Sequence, residues 1–418
     1  MWQKDRKRIA IKIILLILTL ALAAGLAYAV VQVREREAAQ DAELLELYNR
    51  QQAEQQQARQ ASVEEVNAAY RADMAAVAEY LPGIVCWGDV LTAGTAGGVS
   101  YPAELQALIN ANLCDAYDFR STVKNADDFN NKLNWEEYSL EIPVVNMGGG
   151  KESADTVLGR SGAVPYVVTK AFEIPGDCIA VPVAIASANG SPVAPLRESD
   201  RGVNAVTLSG VTGTLSLDLE RSGAVPLYLF TRNEPGEPVS IPAGEPVITA
   251  VTGKYMDYLP VIFVGSFGGY NTPAELVEKI QALVDAHADS GRYIVIGTYC
   301  VPDVIYGAAP GNAANLAALE SAMSQAFGEH YINLRKYLAN DAMGDLGLKP
   351  TARESRNMTS GIVPASLLNQ ENRYELTPAA QKLLGKVIYD KMDQLGYFDE
   401  IKAELEIQEW EDDRHAAA

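Results

Sequence analysis

The chain has 418 residues, of which 48% are hydrophobic and 21% charged, a balance typical of globular proteins with a sizeable core. The formal net charge of -20 argues against a nucleic-acid partner, because phosphate binding needs a clustered excess of Lys and Arg. The length suits two domains, or one domain with a large insertion.

A basic cluster followed by a long apolar run begins the chain. Five basic residues between positions 4 and 12 precede residues 13–31, which carry no charge. Such a run is long enough to cross a bilayer as a helix, and the basic cluster predicts a cytoplasmic N-terminus with the rest of the chain outside. The alternative is a cleaved signal peptide, with Ala-Tyr-Ala at residues 27–29 as a candidate cleavage site. Because the apolar run continues past this point, we expect residues 1–31 to form an uncleaved single-pass anchor in the cell membrane.

Residues 32–82 are rich in Glu, Gln, Ala and Arg and contain no Gly or Pro before Pro82, a composition that favours helix. Their apolar positions form a broken stripe rather than sustained heptads. We expect a helical stalk, and homo-oligomerisation through a coiled coil in this stalk stays open as an alternative.

Strand and helix patterns alternate over residues 83–400. The predicted strands are residues 83–90, 141–147, 258–267, 292–300 and 331–334, and the predicted helices are residues 101–113, 272–287, 313–327 and 377–395. This alternation predicts an α/β domain with a mostly parallel sheet covered on both faces. Ligands of such sheets bind at the carboxyl ends of the strands.

Two segments depart from the alternation. Residues 155–257 contain many prolines, glycines and β-branched residues without a long helical period, which predicts a β-rich insertion. Within it, Arg-Ser-Gly-Ala-Val-Pro occurs at residues 160–165 and again at 221–226, which indicates two similar hairpins or a small barrel. Residues 401–418 form an acidic tail without the spacing of a calcium-binding loop.

The first predicted strand ends in a recognisable motif. Residues 88–95 read Gly-Asp-Val-Leu-Thr-Ala-Gly-Thr and resemble the first block of the SGNH (GDSL) hydrolases, usually written G-D-S-L-T-x-G. These are serine esterases, acyltransferases and lipases on a three-layer, flavodoxin-like α/β fold. Val90 stands where the family has its nucleophilic serine.

Three further blocks can be traced in order. Residues 144–150 (Val-Val-Asn-Met-Gly-Gly-Gly) resemble the second block, in which a glycine N–H contributes to the oxyanion hole, and Gly148 is the match. Residues 261–271 resemble the third block, G-x-N, with Phe267 at the asparagine position and Asn271 four positions later. Residues 372–377 resemble the fifth block, D-x-x-H-L-T, with Asn372 for the aspartate and Glu375 for the catalytic histidine.

The resemblance covers about residues 83–400 and is to a membrane-anchored bacterial member with degenerate catalytic blocks. It implies a site with neither a metal nor a cofactor. Acyl transfer by this route needs a hydroxyl nucleophile, a base and oxyanion donors. Val90 has no nucleophilic atom, Phe267 offers no donor, and the Glu375 carboxylate is a weak base for an alcohol. We therefore expect a catalytically inactive protein at the cell surface that binds a cell-envelope glycan or a partner protein.

A candidate binding cleft is formed by polar residues near the family's catalytic positions, namely Asp89, Thr92, Ser100, Ser266 and Asn271. For Asp89 and Thr92 a structural role is favoured over ligand binding. A second function is an active esterase or acyltransferase on envelope carbohydrate esters, which would need His287 or His330 near this cleft, since His415 lies in the tail. A third is a purely architectural role with oligomerisation through the stalk.

Four cysteines, Cys86, Cys114, Cys178 and Cys300, show no zinc-type spacing. Free thiols are favoured because three of the four lie in apolar stretches, and two disulfides are the alternative outside the cytoplasm.

Overall fold

The computed structural model describes residues 2–123, 133–197, 200–218, 226–299, 313–370 and 375–407. The chain divides into two compact units, Met1–Arg71 and Ala72–Ala418, which are described separately.

The first unit consists of one helix, α1, which runs from Trp2 to Tyr80 and so ends within the second unit. The helical character predicted for residues 32–80 is confirmed, and the helix continues without a break into the apolar run before it. Pro82 follows its end, as expected, because a proline disfavours helical backbone in the residue before it. Among the described residues, α1 is the one helix that is long and apolar enough to cross a membrane, and a signal sequence has the same properties.

The second unit is a mixed α/β domain. Its central sheet contains β1 (Ile84–Gly88), β2 (Val144–Gly148), β12 (Leu259–Phe263), β13 (Ile294–Ile296) and β14 (Tyr331–Ile332), in the spatial order β14-β13-β12-β1-β2. Every neighbouring pair in this sheet is parallel, so the predicted parallel sheet is confirmed. All residues of β1, β12 and β13 are buried, as expected for central strands covered on both faces.

The helices of this unit connect and cover the sheet strands. They are α2 (Val90–Ala93), α3 (Tyr101–Ile109), α4 (Phe119–Thr122), α5 (Ala154–Ser161), α6 (Pro273–Asp285), α7 (Ala313–Phe327), α8 (Leu334–Asn340), α9 (Ala342–Asp345), α10 (Ala352–Thr359), α11 (Pro378–Gln394) and α12 (Asp399–Glu404). Short π and 3-10 turns lie at Asn110–Cys114, Trp135–Glu137, Gly328–His330 and Ala365–Leu367. The observed α7 coincides with the predicted helix at residues 313–327.

Helix α6 packs on the sheet through apolar side chains, and α11 is joined to its neighbours through a buried glutamine. Leu276 and Ile280 of α6 belong to one core cluster with Trp87 and Ile262 of the sheet. On α11, the buried Gln381 side chain accepts a hydrogen bond from the backbone N–H of Tyr101 in α3 at 3.0 Å and donates to the carbonyl of Leu91 at 3.0 Å. This side chain therefore joins α11 to both segments that follow β1.

The insertion is β-rich, as predicted, but it begins later than residue 155. Its strands are β3 (Tyr166–Val168), β4 (Phe172–Ile174), β5 (Val181–Val183), β6 (Ile185–Ala186), β7 (Val206–Leu208), β8 (Val211–Leu217), β9 (Tyr228–Arg232), β10 (Val239–Ile241) and β11 (Pro246–Val247). They form antiparallel sheets in the orders β5-β9-β8-β7, β11-β3-β6 and β10-β4 around a core of their own.

Helix α5 occupies the first residues of the predicted insertion. Its N-cap is Ser153, whose hydroxyl accepts from the backbone N–H of Thr156 at 3.3 Å. Every residue of α5 is buried, the polar ones included. The near-repeat therefore begins within a helix, while residues 221–225 of its second copy lie outside the described residues.

The strands are also shorter than predicted. β1 ends at Gly88 and β12 at Phe263, because Asp89 caps a new helix and Gly265 takes a positive φ of 110°. Cys86, Cys114 and Cys178 are free thiols, and Cys300 lies outside the described residues.

Candidate functional site

Several of the predicted site positions lie at one edge of the central sheet. Because the strands are parallel, the carboxyl ends of β1, β2, β12 and β13 share this edge, which we call the carboxyl edge. Val90 and Phe267 follow β1 and β12, and Gly148 is the last residue of β2. The structure thus brings three of the predicted positions to the same edge.

Val90 is the first residue of α2 and is partly exposed. The turn before it is tight, because a Cβ atom at Gly88 would lie 2.0 Å from the Thr92 hydroxyl oxygen. Asp89 is the N-cap of α2 and accepts a hydrogen bond from the Leu91 N–H through Oδ1 at 3.1 Å. The motif therefore forms a strand, a tight turn and the start of a helix, with the aliphatic side chain of Val90 at the first helical position.

Asp89 is completely buried, and its Oδ2 atom has no hydrogen-bond partner among the described residues. Burial raises the pKa of Asp89 well above its ordinary value, against the opposing effects of the Leu91 N–H and the nearby Ser266 hydroxyl. The charge of Glu152 raises this pKa further. The environment therefore favours the neutral acid over a carboxylate at this position.

Gly148 is needed for close packing between β2 and α2. A Cβ atom at this position would lie 2.1 Å from the backbone nitrogen of Ala93. The Gly148 N–H, the expected oxyanion donor, instead donates to the side-chain oxygen of Asn146 at 2.9 Å. Sequence reasoning did not single out Asn146, although its place two residues before Gly148 was visible in the second block.

The hydroxyls of the predicted cleft are buried and bonded within the fold. Thr92 lies 2.9 Å from the Tyr101 hydroxyl, and Ser266 lies 3.0 Å from the Thr298 hydroxyl. Ser100 caps α3 by accepting from the Ala103 N–H at 3.3 Å. With 0% of Thr92, 5% of Ser100 and 2% of Ser266 exposed, these side chains stabilise the carboxyl edge rather than line an open cleft.

The two candidate residues of the third block, Phe267 and Asn271, lie in different surroundings. Phe267 is partly exposed in the turn after β12. Asn271 is exposed and precedes Thr272, the N-cap of α6. Its backbone N–H and its side-chain amide both donate to the Glu275 carboxylate, at 2.8 and 3.1 Å. The hydrogen bond from the Asn271 N–H is the largest cause that lowers the pKa of Glu275. Asn271 therefore helps to begin a helix.

Asn372 lies outside the described residues, whereas Glu375 lies just before α11 and is partly exposed. The Glu375 carboxylate accepts from the side-chain amide of Asn369 at 3.0 Å, and its carbonyl accepts from the Asn369 N–H at 2.9 Å. Among the described residues, those at positions 95–97, 99, 366, 368–370 and 376–378 border a cleft of about 560 Å³, which we call the lateral cleft. Sequence reasoning missed this cleft because its two walls are far apart in the chain.

Both described histidines lie away from the carboxyl edge. His287 contacts the carbonyl oxygen of Tyr258, which immediately precedes β12, with Nδ1 at 2.9 Å. His330 stacks on Tyr293, which immediately precedes β13, with ring centroids 4.3 Å apart. Both of these partners lie at the amino-terminal edge of the sheet. The Nε2 atom of His287 accepts from the indole N–H of Trp87 at 3.2 Å, so both ring nitrogens of His287 are engaged within the fold. His415 lies outside the described residues.

A buried ion pair beside β2 was also missed. Arg160 of α5 is fully buried, and its guanidinium donates to Glu152 at 2.6 Å, to the Met147 carbonyl at 3.0 Å and to the Arg201 carbonyl at 3.3 Å. The guanidinium carbon also lies 5.8 Å from the centre of the Trp87 ring. In the sequence, Arg160 was visible only as the first residue of the near-repeat. Its contacts join the insertion to the central sheet.

Among the described residues, no group of three or more His, Cys, Asp and Glu side chains is arranged to hold a metal ion. Comparison of the chain with protein-family models, with curated proteins and with solved structures found no match.

Proposed function

We propose that the chain is a membrane-anchored, extracytoplasmic protein of SGNH hydrolase type that has lost acyl-transfer chemistry and serves as a binding module. Val90 carries this proposal, because it occupies the first position after Asp89 at the end of β1, where a nucleophile would stand. A valine side chain can neither attack an ester nor hold an acyl group.

The strand order supports the finer fold assignment. Counted along the chain, the five strands of the central sheet have the order 5-4-3-1-2, which in reverse is the 2-1-3-4-5 order of flavodoxin-like folds. The long apolar segment of α1, preceded by basic residues, supports an anchor with a cytoplasmic N-terminus.

The surroundings of Val90 support the loss of chemistry. The Gly148 N–H already donates to Asn146, and the neutral form of Asp89 is favoured by burial. The described histidines contact the amino-terminal edge of the sheet. An active esterase that uses His287 or His330 as its base is therefore less well supported than a binding module.

The test is ester hydrolysis by the full chain in detergent micelles, with p-nitrophenyl acetate as substrate. The wild type and the matched variants Val90→Ala and Val90→Ser should all hydrolyse the ester at the rate of the micelle blank. Val90→Ser restores a hydroxyl, but a hydroxyl needs a base to take its proton. Both ring nitrogens of His287 are already engaged, by Trp87 and by the Tyr258 carbonyl. Saturable turnover by the wild-type protein would refute the proposal.

A further inference from the structure

Helix α10 and the segment just before it present three exposed cations. Lys349 lies two residues before Thr351, the N-cap of α10, and Arg353 and Arg356 lie three positions apart on the helix, where side chains are neighbours on the surface. None of the three makes a hydrogen bond or an ion pair within the part of the chain that the structure describes. We call Lys349, Arg353 and Arg356 the basic face.

The one acidic residue among residues 346–362 is Glu354, and its carboxylate is engaged on the buried side of α10. It accepts from the Thr351 N–H at 2.9 Å, from the Thr351 hydroxyl at 2.8 Å and from the Ser366 N–H at 3.0 Å. These hydrogen bonds, with that of the Thr351 N–H the largest cause, lower the pKa of Glu354 to about 2. Glu354 therefore fixes α10 to the turn at Ala365–Leu367, and the three cations outnumber it in this segment.

The excess of positive charge is local, because the chain as a whole carries a formal net charge of -20. At physiological ionic strength, salt screens exposed charges beyond about 8 Å, so the cations that a partner touches outweigh the distant carboxylates. Guanidinium groups such as those of Arg353 and Arg356 bind carboxylates through two parallel hydrogen bonds. The basic face is therefore complementary in charge to an anionic partner.

Two exposed aliphatic side chains flank the basic face. Leu348 adjoins Lys349 before α10 and is 44% exposed. Ile362 follows the helix, with its N–H bonded to the Asn357 carbonyl, and is 51% exposed. A phosphate-rich polymer has no apolar group to place on these two side chains, whereas an acidic peptide carries carboxylates and apolar side chains together. Recognition of acidic peptide motifs by clustered arginines is a recurring mode of binding.

We propose that the basic face docks an acidic segment of a partner protein. Carboxylates of that segment accept hydrogen bonds from Arg353 and Arg356, and its apolar side chains pack against Leu348 and Ile362. This inference rests on the proposed function, since it names the class of partner for that binding module. Of the two partner classes expected from the sequence, it favours a protein over a glycan.

The probe is a displayed library of short random peptides, selected against the full chain in micelles of a non-ionic detergent. Peptides that are enriched are labelled with fluorescein, and their binding is measured by fluorescence anisotropy. The enriched sequences should contain several Asp or Glu residues beside Leu, Ile or Val. Their affinity should fall as the salt concentration rises, because the attraction between exposed charges is screened.

A matched pair of charge-reversed variants locates the binding. Arg353→Glu with Arg356→Glu replaces two attractions by two repulsions and should weaken peptide binding about tenfold or more. Lys170→Glu with Arg197→Glu makes the same change in net charge at two exposed positions of the insertion and should leave the affinity within about twofold of the wild type. Equal circular dichroism spectra show that both variants fold.

Three results would overturn the inference: no enrichment of any peptide, enrichment of peptides without acidic residues, or equal affinities for the two charge-reversed variants. Binding of inorganic polyphosphate that is lost when Arg353 and Arg356 are reversed, without peptide binding, would also overturn it and would replace the peptide by an anionic polymer. The same preparation is assayed for ester hydrolysis. Turnover there would refute the proposed function whatever the peptides do, whereas absent turnover and absent peptide binding would refute this inference alone.

Discussion

Protonation of His287 should destabilise the folded domain. Only 4% of His287 is exposed. Its Nε2 atom lies 3.2 Å from the indole nitrogen of Trp87, and its Nδ1 atom lies 2.9 Å from the Tyr258 carbonyl oxygen. An indole N–H can only donate, so Nε2 accepts and Nδ1 carries the proton of a neutral ring. A proton on Nε2 would point at the indole N–H of Trp87, and neither of these two buried donors would then have an acceptor.

The magnitude follows from the shift in pKa. Burial lowers the pKa of His287 to about 4 from an ordinary value of 6.5, against the opposing effects of the Tyr258 carbonyl and Asp257. Between these two values the unfolded chain binds more protons than the folded chain, so stability falls as pH falls. At about 1.4 kcal/mol for each pKa unit, the loss reaches about 2 kcal/mol at pH 5 and about 3 kcal/mol below pH 4.

The assay is urea unfolding of the full chain in detergent at pH 7, 6 and 5, followed by near-ultraviolet circular dichroism. The matched variant is His287→Gln, which keeps an acceptor for Trp87 and a donor for Tyr258 but does not titrate. The free energy of unfolding of the wild type, relative to that of the variant, should fall by about 2 kcal/mol between pH 7 and pH 5. A difference that stays constant, or that grows with acid, would refute the buried neutral histidine.

Three further substitutions test the carboxyl edge. The free energy of unfolding of Asp89→Asn, relative to that of the wild type, should increase as pH rises from 5 to 8. The reason is that the buried carboxyl of Asp89 has a raised pKa, so the rise in pH destabilises the folded wild type. A difference in unfolding free energy that does not change with pH would contradict this. Arg160→Met should lower the free energy of unfolding by about 3–5 kcal/mol, because it leaves the buried Glu152 carboxylate without its partner. The double variant with Glu152→Met should recover part of that loss. Losses that simply add in the double variant would show that the two side chains are not coupled. Gly148→Ala should lower the free energy of unfolding by at least about 1–3 kcal/mol, because the new Cβ atom would lie 2.1 Å from the backbone nitrogen of Ala93. The control Gly97→Ala, whose Cβ atom would have its nearest neighbour at 3.8 Å, should leave the free energy of unfolding unchanged.

The parallel sheet was predictable because each of its strands is a short apolar run followed by a turn signal. The runs around β1 and β12 are buried over their whole length, which is the pattern of central parallel strands. Helix α5 was missed because its eight residues make only about two turns, which is too short a run for a helical period to stand out before the Gly- and Pro-rich sequence that follows.

The candidate site was predictable in position but not in contacts. The motif after β1 located Val90, yet the hydrogen bond from Gly148 to Asn146 depends on a side-chain orientation that no local pattern reveals. The lateral cleft was beyond prediction, because the described residues of its two walls, at positions 95–99 and at 366–370 and 376–378, come together only through the packing of α11 on α3. The roles of Ser100 and Thr92 as internal hydrogen-bond partners likewise depend on tertiary contacts.

The central claim, that the carboxyl edge has no acyl-transfer chemistry, is tested most directly by covalent labelling. The full chain in detergent is incubated with a fluorophosphonate, which reacts with activated serine hydroxyls, beside an active serine esterase as a positive control. Intact-mass spectrometry should show the protein unmodified while the control is fully labelled. A stoichiometric adduct that peptide mapping places on Ser100 or Ser266 would contradict the claim.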